Sequence, residues 1–246
     1  QLLCGVDVDP AQLDALRASD RACVEPPMTV DPRLAERFLR VRTRLPGVPE
    51  LPTRCFGPDE DRWYSYKFTA LDEAVRDVRL PGEFLQLGVF KGQCARFLHA
   101  RMPAGRRLYL LDSFEGLPED WMGTLRKDAF ALAPEDIPVF EAANVEVVPG
   151  WFSDTVDGVA ARLDAPLALI HADADLYSST LEALAGLEAR IAPGTVILFD
   201  EYFMQAGDDF RDDEHRALLD WCQRYDRDFE YLWKSEWVQV AVRITR

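Results

Sequence analysis

Four carboxylates stand at the ends of two apolar runs. The stretch Leu169-Ile-His-Ala-Asp-Ala-Asp-Leu-Tyr-Ser-Ser-Thr180 delivers Asp173 and Asp175, and Val196-Ile-Leu-Phe-Asp-Glu-Tyr202 delivers Asp200 and Glu201. Apolar runs of this length read as buried parallel strands, and open α/β sheets bind ligands outside the carboxyl ends of such strands. Acids crowded on one edge repel each other unless protons or a cation intervene. The pattern therefore points to a divalent metal held among Asp173, Asp175, Asp200 and Glu201. The competing reading makes Asp175 a helix cap, although Ser178, Ser179 and Thr180 could serve that end without it. His171 shares a strand face with Asp173 by the two-residue period. It could accept a proton, orient Asp173 through a hydrogen bond, or simply pack, and one of the last two roles is expected. Asp173 and His171 are thus the candidates for the catalytic positions.

A second candidate site lies in Gly82-Glu-Phe-Leu-Gln-Leu-Gly-Val-Phe-Lys-Gly-Gln-Cys-Ala-Arg-Phe-Leu98, where a strand-like run meets Gly88 and Gly92 and then a helical pattern. Glycine there lets backbone approach a ligand closely. The spacing G-x-x-x-G differs from the G-x-G-x-x-G of dinucleotide folds, which weakens the case for a pyrophosphate. The next strand-like run, Leu108-Tyr-Leu-Leu-Asp-Ser113, ends in an acid about twenty residues on, the position from which ribose hydroxyls are held. Asp112 is the candidate for that contact, with Ser113 beside it. Cys94, early in the following helix, could carry a lowered thiol pKa, but a small packing residue is the expected role.

The blocks Phe84-Leu-Gln-Leu-Gly-Val-Phe-Lys-Gly92, Leu111-Asp-Ser-Phe-Glu-Gly-Leu-Pro118, Gly150-Trp-Phe-Ser-Asp-Thr155, the Asp-x-Asp-Leu-Tyr-Ser-Ser-Thr run to Thr180, and Phe199-Asp-Glu-Tyr202 together resemble the macrocin-type O-methyltransferases. The likeness runs in order over about residues 80 to 245. It implies a class I, S-adenosylmethionine-dependent enzyme acting on a sugar or other small natural-product hydroxyl. It also implies cofactor contacts at Gln86, Gly88, Gly92, Asp112, Ser113, Trp151 and Asp173, and a Mg²⁺ or similar cation held by Asp173, Asp200 and Glu201 with Asp175 as a reserve ligand. The chain departs from the family pattern twice. Gln86 stands where the family usually has a glutamate for the cofactor's ammonium group. No histidine occurs between residues 113 and 143, where the family's usual base falls. The departures sustain two alternatives: a methyltransferase of the same fold acting on an amine or non-sugar acceptor, and a cofactor-binding domain without turnover. A nucleotide-dependent oxidoreductase ranks last on its glycine spacing.

These residues need a sheet to position them. Strands are expected near residues 84–88, 107–112, 145–148, 167–173 and 195–200, with helices after Gly92, Ser153, Ser178 and Asp212. Phe229 to Lys234 and Trp237 to Ile244 read as an antiparallel hairpin. The resulting fold is α/β and Rossmann-like, a mostly parallel seven-stranded sheet closed by that hairpin. Phe68, Leu71, Ala74, Val75 and Val78 mark a helix that should pack on it, and the aromatics of Arg62-Trp-Tyr-Ser-Tyr-Lys67 could close over a cofactor. The segment between Asp112 and Asn144, long and rich in turns and aromatics, is expected to be a lid.

Residues 1–80 are read as a helical lid or dimerisation appendage, with short helices at 9–19 and 31–43 and a stiff stretch at 45–52; residues 81–246 are the catalytic core. A start at Gln1 suggests excision from a longer polypeptide. The chain of 246 residues, 48% hydrophobic, can bury one substantial core. Its net charge of −15 argues against a nucleic-acid partner. Five cysteines without metal spacing, no leader and no long apolar span fit a reduced cytoplasmic protein rather than a membrane one.

Overall fold

The computed structural model describes residues 62–121, 125–202, 213–234 and 238–246. The expected elements of the first 61 residues lie outside these. Helix α1 (Arg62–Asp77) leads into strand β1 (Phe84–Leu87), α2 (Gln93–Arg101) and β2 (Leu108–Asp112). Then follow β3 (Val145–Pro149), α3 (Phe152–Arg162), β4 (Leu169–Ala172), α4 (Tyr177–Gly186), β5 (Val196–Phe199), α5 (Glu214–Tyr225), β6 (Phe229–Lys234) and β7 (Val240–Ile244). The seven strands form one sheet in the order β3-β2-β1-β4-β5-β7-β6. β1 to β5 are parallel, and β7 inserts antiparallel between β5 and β6.

The period of two along each strand sorts side chains into two cores. Leu85, Leu87, Ile170, Ala172, Ile197 and Phe199 face α3, α4 and α5, where Val159, Leu184 and Trp221 meet them. Phe84, Leu108, Leu110, Leu169, Val196 and Leu198 face α1 and α2, against Leu71, Ala74 and Leu98. With both faces covered, β1, β4 and β5 are buried at every position, which is why they read as continuous apolar runs. Phe68 of α1 stacks on Phe97 of α2 with ring centroids 4.6 Å apart. The far end of α1 is pinned by the hairpin: Trp233 Nε1 donates to Asp77 Oδ2 at 2.7 Å, and Arg243 Nη2 donates to the Asp77 carbonyl at 3.1 Å. α1 packs on the sheet, as its apolar spacing predicts.

Crossover geometry brings the carboxyl ends of β1, β2, β4 and β5 to one edge. Between β2 and β3 the chain folds over that edge without a long helix, with Trp121 fully buried and bridged to Leu125. Trp121, Leu117 and Leu176 form a small apolar cluster of their own, and Trp121 Nε1 donates to Asp213 Oδ2 at 3.1 Å.

Candidate active site

The loop after β1 owes its shape to close packing. Gly88 has φ +77°, and a Cβ there would lie 1.8 Å from the carbonyl oxygen of Asp173. Gly92, at φ +80°, is covered by Arg96, Pro138 and Phe140, whose nearest atoms would lie 2.7 to 3.2 Å from a Cβ there. Both glycines therefore admit protein backbone and side chains, a cause sequence alone did not expose. Asp112 fixes the same loop from β2. Its Oδ2 accepts from Val89 N–H at 2.7 Å and Phe90 N–H at 2.8 Å, and its Oδ1 accepts from Phe114 N–H at 2.7 Å.

A cavity of ≈ 370 Å³ opens between this loop and the acid-bearing edge. Of the expected cofactor residues, Gly88, Asp112, Ser113, Trp151 and Asp173 line it, while Gln86 and Gly92 do not. Gln86 is buried and donates its Nε2 to the Gly88 carbonyl at 2.8 Å, so it supports the loop from beneath. Phe90 and Phe130 meet edge to face with centroids 5.8 Å apart, and with Trp151 and Phe152 they give the cavity aromatic surface. Cys94 also lines it, and burial pushes its thiol pKa up rather than down, as befits a packing residue.

The four acids do converge. Ligand atoms of His171, Asp173 and Asp200 lie within 4.8 Å of one another, as do those of Asp173, Asp175 and Glu201. Asp175 follows in the left-handed region, φ +62°, and lines the cavity with Ser178 and Ser179. Asp200 and Glu201 lie deeper, 1% and 0% exposed, off the cavity wall. Asp200 Oδ1 and both Glu201 carboxylate oxygens are buried and lack hydrogen-bond partners. Acceptors desolvated without donors are costly, so this donor set fits a cation.

Sequence reasoning missed the cation that is present: the ammonium of Lys67, reaching in from α1. Its Nζ lies 2.5 Å from Asp200 Oδ2, 3.3 Å from Asp173 Oδ2 and 3.8 Å from Glu201 Oε1. A signal existed. Lys67 lies on the helical stripe of Leu71 and Ala74, four and seven residues on, and a lysine on a buried stripe needs buried counter-charge. Burial alone would discharge Lys67, but the three carboxylates outweigh it and hold its pKa well above the usual lysine range. One cation cannot serve three acids equally. Burial opposes ionisation of Asp200 as well, yet the adjacent ammonium and His171 hold its pKa below the ordinary value. Burial raises Asp173 despite Lys67, and it raises Glu201 well above normal with the neighbouring acids adding to the effect.

His171 is fully buried, opposite Gln86 on β1 and Leu198 on β5. Its Nε2 stands 3.7 Å from Asp200 Oδ1, and neither ring nitrogen makes a hydrogen bond. It lies behind the acids, away from the cavity wall.

The strand order, the glycine loop and the acidic edge define a class I methyltransferase fold. The chain belongs to the macrocin-O-methyltransferase (TylF) family, whose model matches residues 65–136 and 138–223. It is 30% identical over 191 residues to a tetracenomycin rhamnosyl 4'-O-methyltransferase of Streptomyces olivaceus, covering 65% of this chain and 71% of that one. It is 29% identical over 171 residues to demethyldecarbamoylnovobiocin O-methyltransferase of Streptomyces niveus, covering 60% and 64%. A third relative, mycinamicin III 3''-O-methyltransferase of Micromonospora griseorubida, is 27% identical with coverage of 55% and 61%. The matches thus span about two thirds of these relatives. Among solved structures, the calicheamicin methyltransferase CalS11 superposes with a TM-score of 0.60 over 99% of this chain and 96% of its own, at 18% identity. The O-methyltransferase NovP gives 0.56 over 74% and 81%, at 22% identity.

Proposed function

We propose that this chain methylates a hydroxyl of a sugar or other small natural product, using S-adenosylmethionine and a divalent cation. The observation that carries the reading is that one cavity touches both the glycine loop and Asp173, so donor and acceptor would meet beside the acids. S-adenosylmethionine supplies an electrophilic methyl group. Gly88 and Asp112 shape the loop beneath it, Asp112 and Ser113 offer acceptors to the ribose, and Phe90, Phe130 and Trp151 offer faces for an adenine ring. Asp173, Asp200 and Glu201 would hold a cation such as Mg²⁺, whose chemistry is to acidify and orient a chelated hydroxyl. The remaining work is orientation of acceptor oxygen, methyl carbon and sulfur in line, which can supply several powers of ten in rate.

Proton acceptance falls to carboxylates on the cavity wall, Asp173 and Asp175, since no described histidine lines it. The reading extends to a cytoplasmic enzyme without a nucleic-acid partner, supported by the free thiols of Cys94 and Cys222 and by the net charge of −15. No described helix is long and apolar enough to cross a membrane. Self-association through the N-terminal segment belongs to the same proposal.

The test is methyl transfer from S-adenosylmethionine to a panel of glycosylated and unglycosylated aromatic and macrolide acceptors, followed by mass spectrometry. Transfer to a hydroxyl, abolished by chelator and by Asp200→Asn and restored to the wild type by Mg²⁺, is the expected result. Transfer that persists at full rate in excess chelator would reject the metal. Cofactor binding without transfer to any acceptor would reject the enzyme.

A further inference from the structure

Lys67 stands between the cavity and the buried acids. Asp200 and Glu201 are sealed from solvent, whereas Lys67 and Asp173 are the members of the acidic centre that line the cavity, with Asp175 beside them. Between the cavity and these buried acids stands the ammonium, within 2.5 Å to 3.8 Å of Asp173, Asp200 and Glu201. Lys67 Nζ lies on Asp200 Oδ2, so a metal bound at about 2.0 to 2.6 Å to the unmet Oδ1 of the same carboxylate would stand beside a second cation. Two cations at such separation also repel strongly in a buried site.

We propose that Lys67 is a built-in counter-ion that competes with the divalent cation: it neutralises the acidic centre in the metal-free protein and must leave the centre for metal to enter. The proposal rests on the reading that Asp173, Asp200 and Glu201 bind metal, and it goes beyond that reading in making metal occupancy and Lys67 position mutually exclusive. The flexible four-carbon stem makes this feasible without unfolding α1, because the ammonium can swing into the water-accessible cavity by rotation of its own torsions. Asp77 on Trp233 at the far end of α1, and Phe68 on Phe97 beside Lys67, keep the helix in place while the side chain moves. The exchange also solves two problems at once: the apo protein avoids burying several uncompensated carboxylates, and the loaded protein avoids two adjacent cations.

Two measurements on the intact chain test this. Mn²⁺ binding is followed by loss of the free-ion paramagnetic resonance signal in wild type and in Lys67→Met, which keeps most of the unbranched stem without its charge. The variant should bind at least tenfold more tightly. In the wild type, Lys67 acetylation by an amine-reactive ester is read by peptide mass spectrometry with and without saturating Mn²⁺, and Lys91 and Lys127 serve as internal references. Labelling of Lys67 should rise severalfold with metal while the references stay constant. This second measurement stands even if Lys67→Met fails to fold. Wild type that binds Mn²⁺ with Lys67 still protected overturns the competition and leaves the metal reading intact. Tighter binding in the variant with Lys67 still protected means charge repulsion across an occupied site, and also overturns it. Absence of Mn²⁺ binding by both proteins overturns the metal reading itself, leaving Lys67 a permanent ion-pair partner.

Discussion

At the scale of single residues, the site separates side chains that face the cavity from those that hold them. His171 is of the second kind. The two-residue period puts it on Asp173's strand face, and that placement is what buries it between Gln86 and Leu198 with Asp200 3.7 Å away. From there an imidazole can steady Asp200, but it cannot reach an acceptor in the cavity. His171→Gln should lower the maximal rate by no more than about tenfold and keep the shape of the pH profile, short of the roughly hundredfold or greater loss of a general base. A thousandfold loss at saturating metal, with the ascending limb gone, would make His171 the base. Glu214 supports the centre in another way. Its Oε2 accepts the Glu201 N–H at 3.0 Å, and it is fully buried. Burial first, then the charges of Asp175, Asp200 and Asp173, raise its pKa well above the unfolded value. For such a carboxyl the stabilising contribution is complete below the unfolded pKa near 4.5 and disappears as pH rises through the folded value. Glu214→Gln keeps an acceptor for Glu201 and removes the titration. Its Tm relative to wild type should therefore climb as pH rises above about 4.5, measured with chelator present. A Tm difference flat with pH would show that Glu214 titrates normally.

At the scale of elements, the sequence displayed the strands better than the loops. β1, β2, β4 and β5 appear as apolar runs because both sheet faces are covered, and the expected limits differ from the observed ones by one or two residues at most. The hairpin showed through alternation of Val240, Val242 and Ile244. The reason for the glycines did not, since it depends on a partner strand far along the chain. Gly88 meets Asp173 across β1 and β4, a contact no local pattern encodes. This changes what a substitution there would report. Gly88→Ala combines a positive φ with overlap on backbone, which should cost roughly 3 kcal/mol or more of folding stability, so a cofactor-binding defect in that variant would say little about the cofactor. Gly105, at φ +84° with nothing within 4 Å of where a Cβ would stand, isolates the conformational part. Gly105→Ala should cost only about 1 to 2 kcal/mol. Urea denaturation of both variants checks the pair, and equal losses would mean that backbone overlap at Gly88 relaxes freely. Lys67 is hidden in the sequence for the same reason as the glycines. Its stripe position is visible, but its partners lie across more than a hundred residues of chain and two strand ends.

At the scale of the whole molecule, what decides function is that a single sheet carries both half-sites. The loop after β1 and the acids after β4 and β5 are held at one edge by adjacent parallel strands, and Asp173 N–H donates to the Leu87 carbonyl at 2.9 Å while Asp200 N–H donates to the Ala172 carbonyl at 2.9 Å. The segment between β2 and β3 joins the same unit through Trp121 on Asp213, and α1 joins it through Asp77 on Trp233. Among the described residues, the loop after β1 and the acids after β4 and β5 are built on one continuous sheet. Unfolding should accordingly be one transition, in which far-UV dichroism and tryptophan fluorescence coincide, since Trp121, Trp221 and Trp233 are buried in the β2–β3 segment, in α5 and in β6. Ligand linkage sharpens the test. S-adenosylhomocysteine at about a hundredfold its Kd should add about 2.7 kcal/mol to the unfolding free energy seen by both probes. Midpoints that separate on addition of the ligand, with fluorescence shifting and dichroism unmoved, would mean that the cavity belongs to a smaller cooperative unit than the sheet that builds it.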